Sequence, residues 1–195
     1  MRHISIEGMD GVGKTTICEM LAEQLGYQFV EKPLHYLFDK DGQINEYQTI
    51  TKEVNKSCNR TFTAWYHGLN NIYLYERFKN ENIVTDRHVV SNYCWSGTED
   101  NKDIYDLILK KIGKPYLTII LYANEKTILN RLKNRNIKDK DIKRVHLSEK
   151  VYERMIYFCE INDFDYYVVD TSNKTPEKII EDIMFYIKEK EFAEY

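Results

Sequence analysis

Nine residues, Gly8-Met9-Asp10-Gly11-Val12-Gly13-Lys14-Thr15-Thr16, restrict this 195-residue chain to few folds. They fit G-x-x-x-x-G-K-[ST], a glycine-rich bend whose backbone N–H groups wrap a phosphate. The pattern carries that meaning only between a strand and a helix, and both are signalled. His3-Ile4-Ser5-Ile6-Glu7 alternates like a strand, and Ile17, Leu21 and Leu25 then recur at helical spacing until Gly26. Amide groups and the positive end of the helix dipole converge there on one anion. Lys14 is placed to reach the β/γ-phosphates and the Thr15 hydroxyl to hold Mg²⁺. A bound nucleoside triphosphate with Mg²⁺ is therefore expected, with Gly8, Asp10, Gly11, Val12, Gly13, Lys14, Thr15 and Thr16 around its phosphates.

Beyond the loop, strand and helix signals alternate. Further strands are expected at 27–30, 83–85, 116–122 and 166–169, the fourth of the five being almost wholly β-branched or aromatic, as when helices cover both faces of a sheet. Helices are expected from 43 to 80 with a break near Asn59, then at 89–95, 102–112, 125–134 and 149–161. The last begins at Thr175-Pro176 and carries Ile179, Ile180, Ile183 and Ile187 on one face. Residues 34–42 read as loop. The alternation predicts one domain over 1–195, a three-layer α/β/α P-loop NTPase fold on a five-stranded parallel sheet. Ligands in such folds sit at the C-terminal strand ends. Pro33, Asp86-Arg87, Asn124 and Asp170-Thr171-Ser172 fall there beside the phosphate loop.

Net charge is −3, which argues against a general nucleic-acid binder. No leader pattern or run of about eighteen apolar residues is present, so a cytoplasmic protein with no membrane partner is expected. Cys18, Cys58, Cys94 and Cys159 form no C-x-x-C pair and predict neither a disulfide framework nor a metal cluster.

Three classes share the loop: nucleotide kinases, GTPase switches, and ATPase motors or regulators. Asn55-Lys56 and Asn101-Lys102 lack the aspartate that guanine recognition requires. Asp39-Lys40-Asp41-Gly42 matches D-x-x-G only in the loop after the second strand. A motor usually needs a longer chain. Asp86-Arg87 favours a kinase, with Asp86 placed to hold a Mg²⁺-bound water and Arg87 offering a planar fork to an acceptor phosphate. The stretch from Arg135 to His146 is dominated by lysine, arginine and aspartate, and separates two helices. It reads as a flexible basic lid, about 135–146, closing over the transferring phosphates. A solvated charged face is the alternative.

Glu7-Gly8-Met9-Asp10-Gly11-Val12-Gly13-Lys14-Thr15-Thr16 resembles the E-G-x-D-G-x-G-K-[ST]-T signature of the thymidylate kinase family. Asp86-Arg87-His88-Val89-Val90-Ser91-Asn92-Tyr93-Cys94-Trp95 is similar to its D-R-Y-x-x-S-x-x-A-Y, with Asp, Arg and Ser kept. Arg131, Arg135, Asp139 and Lys140 resemble its lid pattern. The resemblance implies transfer of the ATP γ-phosphate to a deoxynucleoside monophosphate (dTMP or similar), with Mg²⁺, in a homodimer. Lys14, Asp10, Arg87 and Arg135 would carry catalysis, with Lys138 or Lys140 behind Arg135. Thr15 and Asp86 would hold the metal and Arg131 the ATP, with the Asp170-Thr171-Ser172 loop beside the adenine. Asp10 would lie near the sugar 3′-hydroxyl, and Arg87 on the acceptor phosphate. Phe62, Tyr66, Asn92 and Trp95 would complete the acceptor site. Tyr66 stands where the family has a base-reading arginine, and Val30-Glu31-Lys32-Pro33 replaces T-R-E-P, which leaves the base open. Two alternatives remain: a deoxynucleoside kinase acting on a 5′-hydroxyl with Glu31 as base, and a non-catalytic nucleotide-binding protein.

Overall fold

The computed structural model describes residues 1–40 and 42–193, so Asp41 of the Asp39–Gly42 stretch lies outside the described residues. Five strands form one parallel sheet: β1 (His3–Gly8), β2 (Gln28–Glu31), β3 (Ile83–Asp86), β4 (Leu117–Tyr122) and β5 (Tyr166–Asp170), in spatial order β2-β3-β1-β4-β5. The three central strands are almost wholly buried, whereas edge strands β2 and β5 are only partly covered. That gradient is why β4 reads as an unbroken apolar run while β5 mixes tyrosines into its outer face. Helices cover both sides. α1 (Lys14–Leu25) and α9 (Pro176–Ala193) pack together on one face, while α5 (Val89–Ser96) and α8 (Ser148–Ile161) pack together against the other.

The remaining helices are α2 (His35–Phe38), α3 (Asn45–Val54), α4 (Arg60–Arg77), α6 (Lys102–Ile112) and α7 (Glu125–Arg135). Local chemistry sets their ends. Asn59 caps α4 by accepting from Phe62 N at 3.0 Å, which is the physical content of the break expected there. Gly26 closes α1 in the left-handed conformation at φ 66°. Ile179, Ile180, Ile183 and Ile187 are all buried, as their spacing requires. No helix among the described residues is long and apolar enough to cross a membrane.

Two readings need correction. Residues 34–42 are not all loop, since His35–Phe38 forms a helical turn with His35 buried. Asp39 then caps α3, its carboxylate accepting from Glu46 N at 2.8 Å and Tyr47 N at 3.0 Å, in keeping with the rejection of a nucleotide-switch motif there. The lid is not a featureless polar stretch. α7 runs through Arg135 and a 3₁₀ helix spans Lys140–Leu147, with Val145 buried and Ile142 packed on the core. Ile142 and Val145 are three apart, the period of a 3₁₀ turn, and with Leu147, also packed on the core, they anchor a charged segment.

A buried aromatic cluster joins the start of β1, α4 and the residue that precedes α5. His3 bonds Tyr75 through Nδ1 at 2.7 Å and Thr85 through Nε2 at 2.8 Å. His88 meets His3 edge to face at 4.8 Å, and neither of its ring nitrogens has a partner. Burial takes His88 down to about 3, while burial and then His88 hold His3 well below the imidazole range. The unfolded chain, with imidazoles near about 6.5, therefore binds more protons in acid than the folded chain does. The stability these rings allow is complete above pH ~6.5 and falls as the pH drops from there, by about 1.4 kcal/mol per pH unit for each ring. His88→Phe should fold and should shrink the acid slope of urea-melt stability between pH 6 and 4 by about that single-ring amount. An unchanged slope would place the acid sensitivity elsewhere.

Candidate active site

The site begins where β1 ends. Gly8 has φ 144°, and a Cβ on it would lie 2.6 Å from the Leu121 carbonyl oxygen, so only glycine lets the loop leave the sheet this close to β4. Gly13 caps α1 with no side-chain hydrogen bond, and the first turn holds no acidic residue. The leading amides of α1 are thus open to an anion. Lys14, 6% exposed, folds back over the loop and donates to Met9 O at 2.8 Å.

The parallel register sets Ile6 opposite Asp86, and Arg87 N donates to Ile6 O at 2.9 Å. The tip of β3 is thereby fixed beside the phosphate loop. Thr15 Oγ1 donates to Asp86 Oδ2 at 2.8 Å, pairing the two oxygens expected to serve the metal. Two hard oxygen donors on rigid elements are of the kind that would suit Mg²⁺.

Asp10 lies between two cations. Its Oδ1 accepts from Arg87 Nη2 at 2.7 Å and stands 3.7 Å from Lys14 Nζ. Burial pushes the Asp10 carboxyl up, but Arg87 and Lys14 together outweigh it and hold it well below the carboxylate range. Burial and then Arg87 lower Lys14, with Asp10 and Asp86 opposing. For Arg87 burial is overcome by Asp10 and Asp86, so the guanidinium stays charged. Either cation is matched to a phosphate that could take the place of Asp10 beside it.

α7 closes the far wall. Arg131 Nη1 donates to Val12 O at 3.0 Å and to Thr171 Oγ1 at 3.0 Å, and its Nη2 donates to Thr171 O at 2.7 Å. This staple joins the phosphate loop to the end of β5. Arg135 reaches the same cleft, but its guanidinium is held by Asp139 at 2.6 Å with Asp141 at 3.6 Å. The catalytic cation expected from the lid must exchange these partners to meet a phosphate.

The resulting cleft, about 580 Å³, gathers Asp10, Gly11, Gly13, Lys14, Thr15, Thr16, Asp86, Arg87, Arg131 and Arg135. A volume in this range suits a small molecule. Gly8 and Val12 stand behind it as backbone. Glu31, named for the nucleoside-kinase alternative, lines the same cleft at the tip of β2, and the structure adds Lys32 beside it, paired at 2.6 Å. The acceptor residues are not gathered with them. Asn92 is buried and faces inward, donating to Ala64 O at 3.3 Å and accepting from Tyr105 at 3.2 Å, against the substrate role expected of it. Phe62 is half exposed on an outer stripe of α4. Trp95 lies under Arg144 of the lid, 5.7 Å from the guanidinium. Tyr66 bonds Thr51 at 2.6 Å. Next to it, His67 bonds Asn55 at 3.0 Å, and burial together with Arg87 lowers it to about 4. The Arg77 guanidinium lies 5.5 Å from the ring centroids of Tyr36 and Phe78. Glu7 was legible as a motif letter without a role; its signal was a carboxylate in the interior of a central strand.

Comparison with known proteins matches this architecture to the thymidylate kinase model over residues 6–183. The chain belongs to the thymidylate kinase family. It is similar to a probable thymidylate kinase of Methanocaldococcus jannaschii, 27% identical over 95% of each chain. It is also similar to a putative adenylate kinase of Thermococcus kodakarensis, 29% identical over 95% of this chain and 85% of the relative. The fold matches the thymidylate kinase of Candida albicans (TM-score 0.70, 18% identity, 97% and 92% of the two chains). It also matches a deoxyadenosine kinase from M. mycoides (TM-score 0.66, 20% identity, 96% and 99%). The protein is a nucleotide kinase, a phosphotransferase.

Because Arg131 ties Val12 to Thr171, Arg131→Met should weaken binding of a non-hydrolysable ATP analogue by about 1–3 kcal/mol in calorimetry while the fold persists. Affinity within twofold of the parent would show that the staple does not shape the donor site.

Proposed function

We propose that the enzyme transfers the γ-phosphate of ATP to the phosphate of a deoxynucleoside monophosphate. The observation that carries this reading is Asp10 bridging Lys14 on the donor side and Arg87 on the other, within one cleft. Two fixed cations flanking one carboxylate suit two phosphates brought end to end. The amides of α1 and Lys14 would hold the donor, and Arg87 would present its fork to the acceptor phosphate. Asp10, displaced from both, would be free to accept from a sugar hydroxyl. Thr15 and Asp86 would hold Mg²⁺, which would supply neutralisation of the phosphate charge when bound. Positioning and preorganised charge then carry most of the catalysis. Lys14→Ala should abolish transfer in a folded protein. Arg87→Ala should weaken acceptor binding by about 2–5 kcal/mol.

A second reading has its own support. Glu31 pairs in register with Asp86 and lines the same cleft, which supports a reading in which its carboxylate would act as base toward a 5′-hydroxyl. A screen of ATP consumption against all deoxynucleosides and their monophosphates separates the two. Turnover with monophosphates alone, retained in Glu31→Gln, supports the first reading. Turnover with nucleosides alone, lost in Glu31→Gln, replaces it with the second.

We also infer a homodimer. Phe62, Trp65, Leu69 and Ile72 form an exposed apolar stripe on one face of α4, of the kind that a second copy covers. Sedimentation should give twice the monomer mass, and Leu69→Glu should halve it.

A further inference from the structure

Glu7 is 0% exposed, yet it is a carboxylate in the central strand of the sheet. An ionisable group at such a place is costly unless every lone pair is engaged. Its partners all belong to the tip of β3 and the start of α5. Oε1 accepts from His88 N at 2.9 Å, and Oε2 accepts from Ser91 N at 3.2 Å and from the Ser91 hydroxyl. These are the leading donors of α5, where partial positive charge accumulates. The local residue that would ordinarily cap them is His88, and it makes no capping bond. The cap is instead delivered from β1, by the residue immediately before Gly8.

That placement has a consequence for Arg87. Its backbone is left-handed at φ 73°, which costs a non-glycine residue about 1–2 kcal/mol and persists only if neighbours enforce it. The enforcing bonds flank it: Arg87 N to Ile6 O on one side, His88 N to Glu7 on the other. The side chain is tied to the same group. The Ser91 hydroxyl gives its proton to Glu7, which leaves its lone pair to accept from Arg87 Nη1 at 3.4 Å. Burial raises the Glu7 carboxyl, and the Ser91 hydroxyl and the Arg87 charge oppose that rise.

We infer that Glu7 is a positioning residue for Arg87, holding the acceptor-side guanidinium at a fixed offset from the phosphate loop through the Ser91 hydroxyl and the amides of α5. One carboxylate thus couples donor loop and acceptor cation. Transfer in line needs that offset to within a fraction of an ångström. The inference rests on Arg87 binding the acceptor phosphate, and its test separates the two.

Glu7→Gln keeps length and shape, but its amide must set N–H against either His88 N or Ser91. Steady-state rates with each of the four deoxynucleoside 5′-monophosphates, and calorimetric affinity for a non-hydrolysable ATP analogue, supply the readouts. Acceptor KM should rise about tenfold or more in Glu7→Gln, with donor affinity within about twofold. Ser91→Ala, which leaves Glu7 its two backbone donors, should raise acceptor KM by about three- to tenfold, and the double variant should fall short of the product of the two. Loss of melting temperature alone, or equal losses of donor and acceptor affinity, would reduce Glu7 to a scaffold residue and overturn the inference. Should Glu7→Gln fail to fold, an unchanged acceptor KM in Ser91→Ala overturns it instead. If Arg87→Ala itself loses no acceptor affinity, the reading of Arg87 fails, whatever Glu7 does.

Discussion

Everything chemical in this protein depends on the parallel pairing of β1 with β3, with Ile6 set against Asp86. The two strands are far apart in sequence, and each ends in a turn that departs from ordinary backbone geometry, at Gly8 and at Arg87. Pairing them in this register brings a phosphate-binding bend and a guanidinium to the same edge of the sheet. A slip of one residue would turn every side chain on β3 to the opposite face and withdraw Asp86 from Thr15. The burial of β1 and β3 themselves makes that slip costly, so the core specifies the site.

Charge within the cleft is balanced locally. Asp10 answers Lys14 and Arg87, Asp86 answers Thr15 as acceptor and adds field at both cations, and Asp139 with Asp141 answers Arg135. The chain's net charge is only −3, yet the site concentrates cations of lasting charge around a small volume. Lys14, Arg87 and Arg135 are already paired with carboxylates, so an anion reaches them by exchange instead of simple attraction. Exchange favours ligands with several phosphate oxygens in fixed geometry, since one oxygen alone cannot replace a carboxylate and its hydrogen bonds.

The layered fold and the donor half of the site were legible because their signals are local. Glycines at fixed offsets, a lysine and threonine at the head of an amphipathic helix, and apolar runs at period two or 3.6 all act within about twenty residues. The lid was legible as charge and position but not as structure, because only a few scattered apolar residues, Ile142, Val145 and Leu147, tie its 3₁₀ turn to the core. The acceptor half was least legible. Asn92 and Trp95 follow Asp86-Arg87 in the motif, yet α5 rotates Asn92 into the interior toward Tyr105 and carries Trp95 to the lid. Helix rotation is set by which faces pack, and that information lies in α4, α6 and α8, not in the motif.

The amino-acid sequence by itself determined the order of strands and helices, the phosphate loop and the residues at the strand ends, because short-range sterics and hydrophobic period dictate them. Only the tertiary structure decided that Asp10 stands between Lys14 and Arg87, that Arg131 staples Val12 to Thr171, and that Glu7 caps a helix begun eighty residues later. Those bonds join segments that no local rule connects. They form because a buried polar group must find its partner wherever the packed layers place one.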